Sequence, residues 1–245
     1  MRLAVIADIH GNLLALEAVL TDIARRNVDH IVNLGDCVSG PLWPRETMDL
    51  LEKLKLQTVR GNHDRWIAQT PRQHMYPSDA FAYDALTPSQ RSALGALPPI
   101  LQLDAGITAV HGTSMDDNQY LLEDVMQGRL VLARPGTISD RMDGHNSGLL
   151  LCGHSHLPRI AIAGNGSLIV NPGSVGCPAY ADPSPPAHVS ESGSPHARYA
   201  LLRQSAGDWS VDLIAIKYDW NAASVRATEN GRADWGGALA SGFIS

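Results

Sequence analysis

The stretch LAVIADIHGN, residues 3–12, decides the fold class, because an apolar run ends in it and polar side chains follow at once. A short uninterrupted apolar run is typical of a strand covered on both faces of its sheet. Apolar residues then recur at helical spacing over 13–23, with Asn12 placed as the N-cap. Such alternation predicts βαβ units around a parallel sheet. It continues with a strand at 30–34, a helix at 46–56 and a strand at 56–60.

The rest of the chain divides into a helical middle and a strand-rich second half. Proline punctuates residues 65–99, where the clearest predicted helix covers 89–97. A polar stretch with helical potential separates two predicted strands, 107–110 and 149–152. Weak helical periodicity begins at residue 221. Four runs without intervening helices predict a second, largely antiparallel sheet: 159–163, 167–170, 198–202 and 209–216.

The predicted architecture is one α/β domain over residues 1–245, with two packed sheets. Residues 181–197 are rich in proline and serine, which predicts a long exposed loop. The loop contains His188 and His196, and we expect both to be solvent-exposed.

Composition excludes several classes of protein. The 245 residues carry 19 Lys and Arg against 25 Asp and Glu, a net charge of −6, which argues against an extended nucleic-acid-binding surface. The three cysteines, Cys37, Cys152 and Cys177, are scattered and odd in number, so we expect no disulfide framework. The apolar run before Asp8 is too short for a signal peptide, and no apolar stretch approaches the length that crosses a membrane, so we expect neither feature. We therefore expect a cytoplasmic protein without a membrane partner.

Metal-ligand side chains follow five predicted strands, in each case at the point where the strand ends. Because the carboxyl ends of parallel strands meet at one edge of a sheet, we expect these five motifs to lie close together. Each motif alone is weak evidence, but five in order, each behind its own strand, predict a site. The motifs are Asp8-Ile9-His10, Gly35-Asp36, Gly61-Asn62-His63-Asp64, His111-Gly112 and Gly153-His154-Ser155-His156.

The predicted ligands offer nitrogen and oxygen but no thiolate, which suits manganese, iron, zinc or cobalt. Seven side chains are too many for one tetrahedral zinc ion and suffice for two metals if one carboxylate bridges them. Two such ions can clamp the attacking and leaving oxygens of a phosphoryl displacement and generate hydroxide at neutral pH. The seven are Asp8, His10, Asp36, Asn62, His111, His154 and His156.

In these motifs the chain resembles the calcineurin-like metallophosphoesterase superfamily, and most of all its small prokaryotic phosphodiesterase branch. Further stretches that resemble this branch are Val38-Ser39-Gly40-Pro41 and 171–176, and the likeness runs from Met1 to about Trp220. The resemblance implies a four-layer α/β/β/α sandwich of two mixed sheets flanked by helices. It also implies two divalent or trivalent ions, manganese before iron, zinc, nickel or cobalt.

The resemblance also implies roles for individual residues. Asp8, His10, Asp36 and His156 would hold one metal, and Asp36, Asn62, His111 and His154 the other, with Asp36 bridging. His63 would protonate the leaving group or stabilise charge on the phosphoryl oxygens, and Asp64 would orient its imidazole. Arg65 and Asn12 are further candidates for contact with the substrate, Arg65 because a guanidinium can bind phosphate with two hydrogen bonds.

The expected function is hydrolysis of a small phosphodiester or a nucleotide phosphoanhydride. One alternative is a phosphomonoesterase of the protein phosphatase or dinucleoside tetraphosphate hydrolase type. Protein phosphatases of the superfamily place a phosphate-binding arginine after Gly-Asp, where this chain has the residues CVSG, 37–40, so that alternative is weakened. The alternative from another class is a catalytically silent scaffold that binds proteins. The presence of every ligand and of His63 argues against it.

Overall fold

The computed structural model describes residues 1–103, 106–145 and 147–244, and it has the predicted mixed α/β fold. Its strands are β1 (Arg2–Ile6), β2 (His30–Asn33), β3 (Gln57–Thr58), β4 (Ile100–Gln102), β5 (Ile107–Val110), β6 (Glu123–Met126), β7 (Arg129–Leu132), β8 (Leu149–Leu151), β9 (Pro158–Ile162), β10 (Leu168–Pro172), β11 (Ala179–Asp182), β12 (His188–Glu191), β13 (Ala197–Ser205) and β14 (Asp208–Ile216).

Eight α-helices and one short 3₁₀ turn, Arg72–His74, connect these strands within the described ranges. In that part of the chain no helix combines the length and the apolar character that crossing a lipid bilayer requires. The helices are α1 (Leu13–Ala24), α2 (Pro44–Leu54), α3 (Asn62–Gln69), α4 (Pro77–Ala85), α5 (Pro88–Gly95), α6 (Pro135–Arg141), α7 (Trp220–Glu229) and α8 (Ala233–Ser241).

The first sheet has the strand order β14-β13-β1-β2-β3, with β1, β2 and β3 parallel as predicted. β13 pairs antiparallel with β1, and β14 pairs antiparallel with β13. The prediction that 198–202 and 209–216 belong to the second sheet is wrong, because β13 lies beside β1 in the first. β13 takes a central place in the first sheet because both of its faces are buried. Tyr199 and Leu201 pack into the cluster around α1, whereas Ala200 and Leu202 pack into the cluster between the large sheets.

The second sheet has the order β4-β5-β8-β10-β9, with a parallel centre and an antiparallel strand at each edge. It packs face to face on the first sheet through a buried cluster that includes Val5, Val32, Ala109 and Leu151. Helices α1 and α7 cover the outer face of the first sheet, and Ile138 of α6 packs against the outer face of the second. These contacts are consistent with the predicted sandwich.

A third, four-stranded sheet has the order β11-β12-β7-β6 and was not predicted. It contradicts the prediction that 181–197 is a long exposed loop, since β11 and β12 form an antiparallel hairpin joined by the exposed turn 183–187. His188 and Ser190 alternate inward on β12 and are buried. Inward polar side chains hide the apolar alternation by which a short strand is usually recognised.

Candidate active site

The five predicted motifs meet where the parallel strands of the two large sheets end. Asp8 and His10 follow β1, and Asp36 follows β2. His111 follows β5 directly, while His154 and His156 lie in the turn after β8. Asn62 is the first residue of α3. The strands therefore place side chains that are distant in sequence at one edge.

Asp8, His10 and His156 form the first group of candidate metal ligands. One ligand atom of each lies within 4.8 Å of the others, and all three side chains are buried. The Nε2 atoms of His10 and His156 are 3.1 Å apart, and Asp8 Oδ1 is 3.5 Å from His156 Nε2. Ligand atoms at this spacing can share one cation.

Asp36, His111 and His154 form the second group, which also satisfies the 4.8 Å limit. His111 Nε2 lies 3.3 Å from Asp36 Oδ2 and 2.9 Å from the Oδ1 atom of Asn62. Asp36 Oδ2 is also 3.9 Å from His10 Nε2, in the first group. Asp36 is thus the carboxylate that faces both groups.

Hydrogen bonds fix the orientation of three of these imidazoles. The Nδ1 atoms of His10, His111 and His156 each lie 2.7 Å from a backbone carbonyl oxygen, of Ser39, Leu34 and Cys177 respectively. A carbonyl only accepts, so each Nδ1 carries a proton and donates it. In the neutral ring, Nε2 then presents a lone pair toward the centre of the site. This is the orientation in which histidine binds a metal.

The carboxylate of Asp8 provides an independent test of whether a cation fits. Asp8 is fully buried, and neither of its carboxylate oxygens has a hydrogen-bond partner among the described residues. Burial alone would raise the pKa of Asp8, but the His156 imidazole lowers it, so the carboxylate stays charged. A buried carboxylate whose oxygens accept no hydrogen bond is costly unless a cation compensates its charge. The donor set and this unsatisfied carboxylate fit a divalent metal ion.

Backbone conformation distinguishes most of the candidate ligands. Left-handed conformations are uncommon for residues with a side chain and concentrate at active sites and ligand clamps. Gly61 is required for a different reason, since a Cβ there would lie 2.1 Å from Asp36 Oδ1. Positive φ angles occur at Asp8 (56°), His10 (50°), Asp36 (55°), His154 (68°) and His156 (61°).

His63 lies against the second group without belonging to it. Its backbone N–H donates to Asp36 Oδ1 at 3.0 Å, and its ring Nδ1 lies 2.7 Å from Asp79 Oδ1 on α4. Burial lowers the pKa of His63, but the carboxylates of Asp79 and Asp36 outweigh it and raise the pKa to about 9. These two carboxylates therefore favour the protonated form of the His63 imidazole at neutral pH.

A model of the calcineurin-like phosphoesterase superfamily domain matches residues 1–190. The chain belongs to this superfamily. Its members use divalent metals, and the two candidate ligand groups of this phosphoesterase are compatible with that chemistry. The matched segment contains every predicted ligand, and it ends before β13, β14, α7 and α8.

Relatives of this phosphoesterase cover almost its whole length. It is 26% identical over 259 residues to an uncharacterized protein of Methanocaldococcus jannaschii, covering 95% of this chain and 94% of that protein. The crystal structure of a metallophosphoesterase from Sphaerobacter thermophilus has a TM-score of 0.76 and 25% identity, with 99% of both chains covered. A hypothetical protein from Pyrococcus horikoshii has the same fold, with a TM-score of 0.79, 21% identity and coverage of 100% and 99%.

The predicted role of Asp64, to orient His63, is wrong. Its carboxylate accepts hydrogen bonds from the backbone N–H groups of Asp36, Cys37 and Gly61, at 2.9, 3.0 and 2.9 Å. Asp64 thus ties the turn after β2 to the start of α3. The carboxylate that contacts His63 is that of Asp79, which sequence analysis missed because no motif marks it.

Asn12 and Arg65, the two residues predicted to contact the substrate, form hydrogen bonds with other parts of the protein. Asn12 is fully buried, caps α1 by accepting from the Ala15 N–H at 3.2 Å, and donates to the Gly176 carbonyl at 3.0 Å. Arg65 forms a bidentate ion pair with Asp117, at 2.8 and 2.6 Å. Asn12 thus anchors the start of α1, and Arg65 directs its Nε and Nη2 donors to Asp117.

Two tyrosines that belong to none of the five motifs pack against the candidate ligands His154 and His156. The Tyr120 ring stacks on His154 at 4.7 Å between centroids, and the Tyr180 ring meets His156 edge-on at 4.6 Å. The two hydroxyls are 2.7 Å apart, and Tyr120 Oη lies 2.8 Å from His188 Nε2. The prediction that His188 is exposed is wrong, because it anchors this network. The third sheet thus supports both rings.

Binding of divalent ions should stabilise this phosphoesterase against heat. A bound ion would satisfy the carboxylate oxygens of Asp8 and reduce its repulsion with Asp36. A ligand at about 100 times its Kd adds ~2.7 kcal/mol to the free energy of unfolding. For a chain of this size we expect Tm to rise by about 5–10 °C with Mn²⁺ and to fall back with a chelator. Differential scanning calorimetry of wild type and Asp8→Asn measures this. Equal shifts in both proteins would contradict the assignment of Asp8.

Proposed function

We propose that this chain is a dinuclear metal-dependent phosphoesterase that hydrolyses phosphodiester or nucleotide phosphoanhydride bonds. The observation that carries the proposal is the pair of buried carboxylate–histidine groups, with Asp36 of the second group also facing His10 of the first and with His63 beside them. The superfamily relationship supports the same chemistry.

Seven side chains would hold the two ions, and Mn²⁺ is the metal we expect first. When bound, the ions would supply positive charge to the phosphoryl oxygens and lower the pKa of water. Iron, zinc, nickel and cobalt also suit a nitrogen and oxygen donor set. Asp8, His10 and His156 would hold one ion, Asn62, His111 and His154 the other, and Asp36 would contact both.

His63 would donate the proton that the leaving group needs. Its Nδ1 atom is occupied by Asp79 at 2.7 Å, with Ser39 Oγ at 3.3 Å, so Nε2 is the nitrogen available to the substrate. Asp79 is buried, and its contact with Nδ1 fixes the orientation of the His63 ring. A positioned acid of this kind typically contributes about 10²–10⁴ in rate.

We expect a preference for diesters over monoesters. A terminal phosphate dianion gains more from a guanidinium than a diester monoanion does. The motif after Gly35 lacks that arginine, Arg65 is paired with Asp117, and Arg232 donates to Asp234 at 2.9 and 2.6 Å. One missing charge-assisted hydrogen bond corresponds to roughly a tenfold preference in kcat/KM.

The test is the Mn²⁺-reconstituted enzyme assayed on bis-p-nitrophenyl phosphate, p-nitrophenyl phosphate and a dinucleoside tetraphosphate. The expected order places the diester first in kcat/KM. An equal or higher value on p-nitrophenyl phosphate would identify a phosphomonoesterase instead. No metal-dependent turnover of any of the three would favour the scaffold alternative.

A further inference from the structure

We infer that an aromatic subsite beside the candidate metal groups binds a planar ring on one arm of the substrate, which makes the substrate a phosphodiester of the nucleoside type. The aromatic subsite consists of Trp66, Tyr76 and Trp235, with Arg232 at its edge. This inference rests on the proposed function and adds the class of substrate to it.

The aromatic subsite is continuous with the candidate active site. Both belong to one pocket of about 380 Å³ that also contains His10, Asp36 and the candidate acid. The Trp66 ring lies 4.8 Å from the His63 ring and 5.7 Å from that of Tyr76. A group bonded to a phosphate near His63 would therefore reach these rings.

Trp235 forms another wall, and it comes from the C-terminal helix α8. Its ring lies 6.0 Å from that of His10. It packs so closely on Gly40 that a Cβ there would be 3.2 Å from Trp235 Cη2. Arg232 donates to Ser78 Oγ at 2.9 Å, which ties the start of α8 to the start of α4. This wall lies outside the segment that the family model matches, residues 1–190.

The exposure of these rings favours a ligand that stacks. Trp66 and Trp235 are half-buried, and Tyr76 is 52% exposed although it lines the pocket. Rings partly open to a pocket offer apolar faces on which a nucleobase can stack, a contact that tolerates any base because every base is planar. A pocket of mainly apolar walls with a few polar groups is the usual form of a small-molecule site.

Charge argues against a polyphosphate arm. Among the described residues that line this pocket, Arg232 is the one arginine or lysine, and Asp234 already forms two hydrogen bonds with it. Asp182 adds a negative charge to the same lining. A chain of phosphates would need several cations here, whereas a neutral ring needs none.

Two diesters with identical reacting groups test the inference. Adenosine 5′-(methyl phosphate) and methyl ribofuranoside 5-(methyl phosphate) differ only in the base, which is remote from both ester bonds. With the Mn²⁺-loaded wild type, we expect the base to raise kcat/KM by about 10- to 100-fold, the usual value of one stacked base. In Trp235→Leu and in Tyr76→Ala this ratio should fall toward one.

The ratio is taken within each variant, so a change in the chemical step common to both substrates cancels. Trp209→Leu is the matched control, since Trp209 is a half-buried tryptophan on β14 outside the pocket lining. It should keep the wild-type ratio. A wild-type ratio near one, or a ratio that survives both subsite substitutions, would overturn the inference while leaving the proposed function intact.

A binding measurement keeps the inference testable if neither diester is hydrolysed, an outcome that would count against the proposed function alone. Quenching of tryptophan fluorescence then compares adenosine 5′-phosphate with ribose 5-phosphate on the same metal-loaded protein. We expect the nucleotide to bind at least about tenfold more tightly, and Tyr76→Ala to reduce that difference. Equal affinities would overturn the inference.

Discussion

Replacing Asp36 by Asn should lower metal-dependent hydrolysis by about 10³–10⁴-fold, or roughly 4–5.5 kcal/mol of transition-state stabilisation. Asp36 is the carboxylate that faces both candidate ligand groups, with Oδ2 at 3.3 Å from His111 Nε2 and 3.9 Å from His10 Nε2. Asparagine keeps the size of the side chain but removes the charge that a bridging ligand supplies. We therefore also expect the variant to lose at least one of its two ions.

Metal content after dialysis, measured by inductively coupled plasma mass spectrometry, checks this result. The control is Glu123→Gln, because Glu123 is an equally buried carboxylate whose Oε1 contacts Arg159 at 2.8 Å and which lies outside both ligand groups. The control should retain two ions. One ion in the wild type, or two ions and full activity in Asp36→Asn, would end the model of a bridging carboxylate.

The sequence was most informative about the centre of the fold. Strands covered on both faces, such as β1 and β5, are mainly apolar, so their position and their ends can be recognised without knowledge of the neighbouring strand. Because the ends of parallel strands converge, the prediction that Asp8, Asp36 and His111 lie together needed no knowledge of distances. In the structure Asp8 belongs to one candidate ligand group, and Asp36 and His111 belong to the other.

Apolar runs could not predict which strands pair when the two strands are far apart in the sequence. β13 is separated from β1 by almost the whole chain, yet Leu3 pairs with Leu202. An apolar run shows that a strand exists but not which neighbour it takes. The third sheet was missed for a related reason, since β12 buries His188, a polar side chain whose partners come from other elements.

Asp64 and Asp79 show that single contacts between distant residues could not be predicted from the sequence either. Asp64 is adjacent in sequence, but it is the third residue of α3, where a carboxylate is positioned to accept backbone N–H groups at the helix start. Its local geometry turns it away from His63. Asp79 is buried on α4, and only the packing of α4 against α3 brings it to the imidazole. A contact between helices leaves no spacing signal in one sequence.

His63→Asn should keep both ions and lose about 10²–10⁴ in kcat/KM on an alkyl or nucleotide diester, but much less on bis-p-nitrophenyl phosphate. A ribose or alkyl oxygen leaves poorly as an anion, whereas p-nitrophenolate leaves without a proton. The comparison of the two substrates therefore isolates proton donation. Equal losses on both would assign His63 to stabilisation of the phosphoryl charge, and loss of an ion would make it a structural part of the site.

Asp79→Asn separates the acid from the residue that positions it. Without the Asp79 charge the pKa of His63 falls, so the protonated acid is lost at a lower pH and the alkaline limb of the pH–rate profile moves toward neutrality. The loss should again be larger on the alkyl diester, because Asp79 acts only through His63, its contact at 2.7 Å. Asp84→Asn is the matched control, since Asp84 lies on the same helix in an exposed ion pair with Arg72. If the pH profile of Asp79→Asn coincides with that of Asp84→Asn, Asp79 only packs α4 against α3, and another group must hold the proton on His63.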